Sequence, residues 1–126
     1  MQLVKVVNQT RGTIVGESVK VADTSLSRMV GLLRSRELKA GGGLWIKPSS
    51  GVHTIGMSFA IDVVGLDKRK RVVKLWPRLV PFRITSVHLN INSVIELAAG
   101  QIDRCEIQLG DLIEISELSS PCGCGA

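Results

Sequence analysis

"SFAIDVVGLDKRKRVVKLW", residues 58–76, reads as two strands around a charged turn. In an extended chain Phe59, Ile61, Val63 and Gly65 face one way, and Ala60, Asp62, Val64 and Leu66 the other. Both sets are apolar apart from Asp62, so the strand is covered on both faces. "RVVKLW" follows directly after "DKRK", which makes the simplest reading a β-hairpin. Strands, not helices, therefore organise this chain.

The flanking sequence repeats the pattern. "LVKVV" at 3–7 alternates, and "TIVGESVKVA" at 13–22 gives one or two strands broken near Gly16. "LWIKP" is a short strand stopped by Pro48. "PRLVPF" is loop or edge, because two prolines four residues apart exclude a central strand. "NSVIELA" and "GDLIEIS" supply the last two strands, the second entered through a Gly-Asp turn. One substantial helix is expected near 25–34, where Leu26, Met29, Val30 and Leu33 share a face and Asp23 or Thr24 can cap it. The expected fold is mainly β, a compact sandwich or barrel (jelly-roll-like) with one short α-helix. It forms a single domain over 1–118, followed by a tail, 119–126, that carries Cys122 and Cys124.

Bulk properties bound the function. The chain has 126 residues, 44% hydrophobic and 21% charged, which suits a globular domain and argues against disorder. No apolar run reaches the roughly 18 residues of a membrane-spanning helix. The N-terminus reads as a first strand and not as an export signal, so a cytoplasmic location is expected. Three cysteines, two of them in "SSPCGCGA", form no disulfide framework. A closed zinc site wants four ligands, and no close ligand pair stands at helix or hairpin spacing, so no metal is expected. No phosphate loop, dinucleotide fingerprint or Ser-His-Asp signature implies a cofactor or a known catalytic class.

Charge is uneven. Residues 68–95 carry seven basic side chains and no acidic one, whereas 96–126 carry one basic and six acidic. The basic hairpin 68–71 could meet phosphates. Only four aromatic residues exist in the chain, however, so a stacking platform for bases is poorly supplied. A solvated turn or a protected strand edge is the plainer reading, and nucleic-acid binding is expected to be weak and sequence-blind at most.

Two carboxylates stand out. Asp62 and Glu96 each interrupt a run that is apolar on both faces, so each must be paired, hydrogen-bonded or raised in pKa. His53 and Thr54 precede Asp62 in "HTIGMSFAID", and Gly56 lets that loop bend back over the strand. The plainer roles are structural: carboxylates that bond loop amides, a histidine that holds a hydrogen bond, a Met57 that packs in the core.

"SRMVGLLRSREL", "GGGLWIKP", "VHTIGMSFAIDVVGLD", "VIELAAG" and "IQLGDLIEI", in this order, resemble the family called Domain of Unknown Function 192. The likeness runs from about Val21 to Ile115. Its motif positions fall on Arg28, Gly31, Leu32, His53, Thr54, Gly56, Met57, Asp62, Asp67, Glu96, Gly100, Gly110 and Asp111. The resemblance implies a mainly β, sandwich-like fold with a short helix, and brings no activity. Gly65 departs from the pattern by replacing a large apolar residue, which leaves a gap for a neighbour or a ligand to fill. "DKRK" departs by replacing an Asp-Gly turn.

The first functional expectation is a non-catalytic module that binds a small molecule or peptide through His53, Thr54, Met57, Asp62, Arg28 and Glu96. In this expectation His53 and Thr54 line the mouth of the site and Asp62 lies behind them, orienting the loop. Behind it stand a small hydrolase or lyase using His53 with Asp62 or Glu96 as acid and base, and an adaptor whose basic hairpin meets an acidic partner.

Overall fold

The structure is a computed structural model that describes residues 2–22, 42–47, 60–79 and 90–118. The expected helix at 25–34, with Arg28, lies outside the described residues. So do His53, Thr54 and Met57, and the tail 119–126.

Among the described residues the chain forms seven strands and one short helix. They are β1 (Leu3–Asn8), β2 (Thr13–Ala22), β3 (Gly42–Ile46), β4 (Ile61–Leu66), β5 (Val72–Leu79), β6 (Ser93–Ala98), α1 (Gln101–Arg104) and β7 (Ile113–Glu117). All seven strands belong to one sheet in the order β5-β4-β6-β3-β2-β1-β7. Of the two architectures left open by the sequence, the barrel-like one is observed. The sheet curls until its two edges touch at one end, where Arg71 bridges Leu112. There the Val72 N–H donates to the Asp111 carbonyl at 2.9 Å and the Ile113 N–H to the Lys70 carbonyl at 2.9 Å. The result is a half-barrel.

Two faces follow from alternation. The inner face carries the larger core, with Val4, Val6, Val15, Val19, Trp45, Val64, Leu66, Ile95, Leu97 and Ile113, closed by Ile102 and Cys105 of α1 and its C-cap. The outer face of β3, β4 and β6 carries a smaller cluster, Leu44, Ile46, Ile61, Val63, Ile91 and Val94. Central strands β4 and β6 are therefore apolar on both sides, as their sequences predict. β2 is one strand and not two. Gly16 marks a change of register, since β1 partners shift from Val4↔Val19 to Val6↔Gly16 and Val7↔Ile14.

The "DKRK" turn is well defined. The Lys70 N–H donates to the Asp67 carbonyl at 3.0 Å, and Lys70 takes a left-handed φ of 64°, where glycine is usual. Asp67 offsets that strain, because its Oδ1 accepts from the Arg69 and Arg71 amides at 2.8 and 2.9 Å. Pro77 does lie in a strand, but β5 is an edge, and a bulge opposite Asp62 absorbs Pro77 and Arg78. The gap at Gly65 is filled by a neighbour. A Cβ there would stand 2.9 Å from the Ile91 Cδ1. α1 is not visible in the hydrophobic periodicity, since four residues are too few to show a period.

Asp111 ties the curl together. Its Oδ2 accepts from Asn8 Nδ2 at 2.8 Å, the Gln108 N–H at 3.0 Å and Arg11 Nε at 3.2 Å. Burial pushes its pKa up, but these donors outweigh burial and hold it below the usual carboxylate value. A depressed pKa means stability that is present above the unfolded-state value near 4 and is lost as pH falls through the folded one. Asp111→Asn should cost about 1–2 kcal/mol at pH 7 by urea unfolding, from weakened charge-assisted bonds. The deficit should shrink as the wild-type carboxylate protonates. A deficit that is constant with pH would contradict this.

Candidate functional site

The two carboxylates singled out from sequence point to opposite faces. Asp62 alternates with Val64 and Leu66 and so faces inward, and both are inner-core residues. Glu96 lies between the inward Ile95 and Leu97 and so faces outward. It registers with Leu44 on one side and Val63 on the other, both in the outer cluster. One site cannot be lined by both.

Asp62 is fully buried, and both of its oxygens are engaged. Oδ1 accepts from the Arg78 N–H at 2.8 Å, and Oδ2 from the Ile102 N–H at 2.8 Å. The first bond holds the β5 bulge, where Arg78 adopts a φ of 51°; the second fixes the start of α1. Gly100 turns the chain into that helix with a φ of 91°, which a side chain would resist. The bonded partners of Asp62 are thus backbone amides of two elements that the sequence reading did not connect to it. Its chemistry here is that of a brace.

Glu96 is the opposite case. It is fully buried, and neither carboxyl oxygen has a hydrogen-bond partner among the described residues. Burial raises its pKa from 4.5 to about 8, so the carboxyl keeps its proton at neutral pH. A buried carboxyl with no partner is rare in a native fold, since leaving such a group unsatisfied costs about 1–3 kcal/mol. Its backbone is held just as closely. A Cβ on Gly43 of β3 would stand 2.6 Å from the Glu96 carbonyl oxygen, so only glycine lets β3 approach β6 there. No group of three or more His, Cys, Asp or Glu side chains able to hold a metal occurs among the described residues. No helix among them is long and apolar enough to cross a membrane.

Known proteins share this architecture. Residues 6–115 match the model of the DUF192 family, described as an uncharacterized ACR. A UPF0127 protein of Thermococcus sibiricus is 31% identical over 113 residues, covering 86% of this chain and 72% of the relative. A UPF0127 protein of Thermococcus kodakarensis is 30% identical over 118 residues, with 86% and 71% covered. Among solved structures, a Sinorhizobium meliloti protein described as a "putative transcription regulator" superposes with a TM-score of 0.75 at 18% identity, covering 90% of this chain and 92% of its own. A protein of unknown function from Novosphingobium aromaticivorans gives 0.69 at 20% identity, with 89% and 83% covered. At these identities the two structures establish the fold alone.

Proposed function

The chain belongs to the Domain of Unknown Function 192 family, and from that premise we propose that it is a binding module whose site lies on the outer face of the sheet. The occupant is a small molecule or a peptide, and the buried Glu96 carboxyl is the polar anchor. The observation that carries this reading is Glu96 itself, which holds its proton and has no partner among the described residues. A buried carboxyl with no partner among the described residues is a group that a ligand's polar atom would satisfy.

The connections β2–β3 and β3–β4 carry Arg28 in one case and His53, Thr54 and Met57 in the other. The proposal takes these four residues as further members of the Glu96 site, with Asp62 bracing the sheet from behind.

A catalytic version of this site would pair His53 with Glu96 in a hydrolase or lyase. It draws on the Glu96 pKa of about 8, within the range that suits a general acid at neutral pH. Asp62 has no part in it, since both of its oxygens are occupied.

The test is a thermal-shift screen of small carboxylates, amides and short peptides against wild type, Glu96→Leu and His53→Ala. At a hundredfold excess over Kd a ligand adds about 2.7 kcal/mol of stability. Wild-type hits should lose most of that shift in both variants. Hits that stabilise Glu96→Leu as well as wild type would remove the outer face from consideration. Analysis of the bound material by mass spectrometry separates the two versions, unchanged for a binding module and converted for an enzyme.

A further inference from the structure

A recess of about 370 Å³ opens at the tip of the β4–β5 hairpin, lined by Asp67, Lys68, Arg69, Asn90, Ile91 and Asn92. Its floor and walls are fixed. Ile91 is buried and packs into the space left by Gly65, and the Asn92 N–H donates to the Leu66 carbonyl at 2.8 Å. The carboxylate of Asp67 is directed inward to its own turn, where Oδ1 accepts the Arg69 and Arg71 amides. Among the described residues neither Lys68 nor Arg69 forms an ion pair. Lys68 and Arg69 are exposed, and the ion pair found among the described residues, Arg11–Asp111, lies elsewhere. Arg71 donates from Nη1 to the Gly110 carbonyl at 3.1 Å and is held off the recess.

We propose that this recess binds a phosphate group. Lys68 and Arg69 supply one ammonium and one guanidinium, which together match a dianion with three acceptor oxygens. Asn90 and Asn92 supply carboxamides for neighbouring hydroxyl or amide groups of the ligand, and Ile91 offers a small apolar floor for the part that carries the phosphate. The bonded turn fixes the backbone from which both cations project, which lowers the ordering cost. Asp67 is the acidic residue of the lining, and residues 68–95 add no other carboxylate. The phosphate can come from a nucleoside monophosphate, as the dianion, or from a polynucleotide backbone, where the two cations would meet neighbouring phosphodiester monoanions. This site is independent of the one proposed around Glu96.

The experiment titrates adenosine monophosphate, a twelve-residue oligodeoxythymidylate and a hexaglutamate peptide into the full chain. Affinity and the amide NMR shifts of Lys68, Arg69, Asn90 and Asn92 are followed. A phosphate ligand should bind saturably and shift those amides. Its affinity should fall at least about tenfold in Lys68→Gln/Arg69→Gln, as expected for loss of two charge-assisted contacts. Affinity should hold in Lys5→Gln/Lys20→Gln on β1 and β2. Binding of the monophosphate identifies a small phosphorylated ligand, and binding of the oligonucleotide alone identifies a backbone; either supports the proposal. Full affinity in the double variant overturns it, as does equal affinity for hexaglutamate, or saturable binding by neither phosphate ligand.

Discussion

Replacing Glu96 by glutamine should make the protein about 3 kcal/mol more stable at pH 7, and the gain should vanish in mild acid. The reasoning starts from the raised pKa. The folded chain holds the Glu96 proton up to a pKa of about 8, while the unfolded chain releases it near 4.5. Between those values the folded state binds more protons than the unfolded state. Stability therefore falls as pH rises through that window and levels off above it, having lost about 5 kcal/mol in total. Glutamine has nearly the same shape and no charge to desolvate, so its curve lacks this slope. Below about pH 4.5 both side chains are neutral, and the two proteins should agree to within about 1 kcal/mol. Urea unfolding at half-unit steps from pH 4 to 9 measures the difference. Parallel curves for the two proteins would mean that Glu96 has a partner that stabilises its charge. A saturating ligand that accepts the Glu96 proton should carry the wild-type slope to higher pH and leave the pH dependence of the variant alone.

Much of the fold was legible because burial dictates strand patterns directly. "VVGL" and "VIELA" are apolar on both faces, and β4 and β6 are the strands packed on both sides. The charged turn between "AIDVVGL" and "VVKLW" is exposed and hairpin-forming, as read. Strand order was not legible. It depends on which strands run parallel and where the sheet curls, and on hydrogen bonds such as Ile113 to Lys70 that join residues far apart in sequence. The two-faced placement of Asp62 and Glu96 is a further case. Alternation within each strand was readable, but not the register between β4 and β6 that turns Asp62 inward beside Leu97 and Glu96 outward beside Val63. Their contrast in bonding follows from neighbours that no local pattern reveals. A bulge and a helix start happen to present amides to Asp62, and nothing described presents a donor to Glu96.

Replacing Asp62 by alanine should destabilise the protein by about 3–5 kcal/mol, the largest loss expected from any single change among the described residues. The carboxylate accepts two backbone N–H bonds in a place with no solvent. Each bond to a charged acceptor is worth about 1.5–3 kcal/mol, and each amide left behind in the interior costs about 1–3 kcal/mol unless water enters. The losses overlap, since they describe the same bonds, so they are not added together, and two bonds at about 1.5–2.5 kcal/mol each set the expectation. Against a total stability of about 5–15 kcal/mol, such a change threatens folding itself. Asp62→Asn is the informative companion. One amide oxygen can still accept from Arg78 or Ile102, but the amide nitrogen then meets an N–H donor at the other. It should therefore lose about 2–3 kcal/mol. Hydrogen exchange separates the two bonds, because the Arg78 amide reports on the β5 bulge and the Ile102 amide on α1. The amide that loses its acceptor should exchange faster in Asp62→Asn, whereas amides of β1 and β2 should follow only the global loss. If Asp62→Ala lost less than about 1 kcal/mol, the brace between β5 and α1 would be dispensable, and Asp62 would be released for a role at a ligand site.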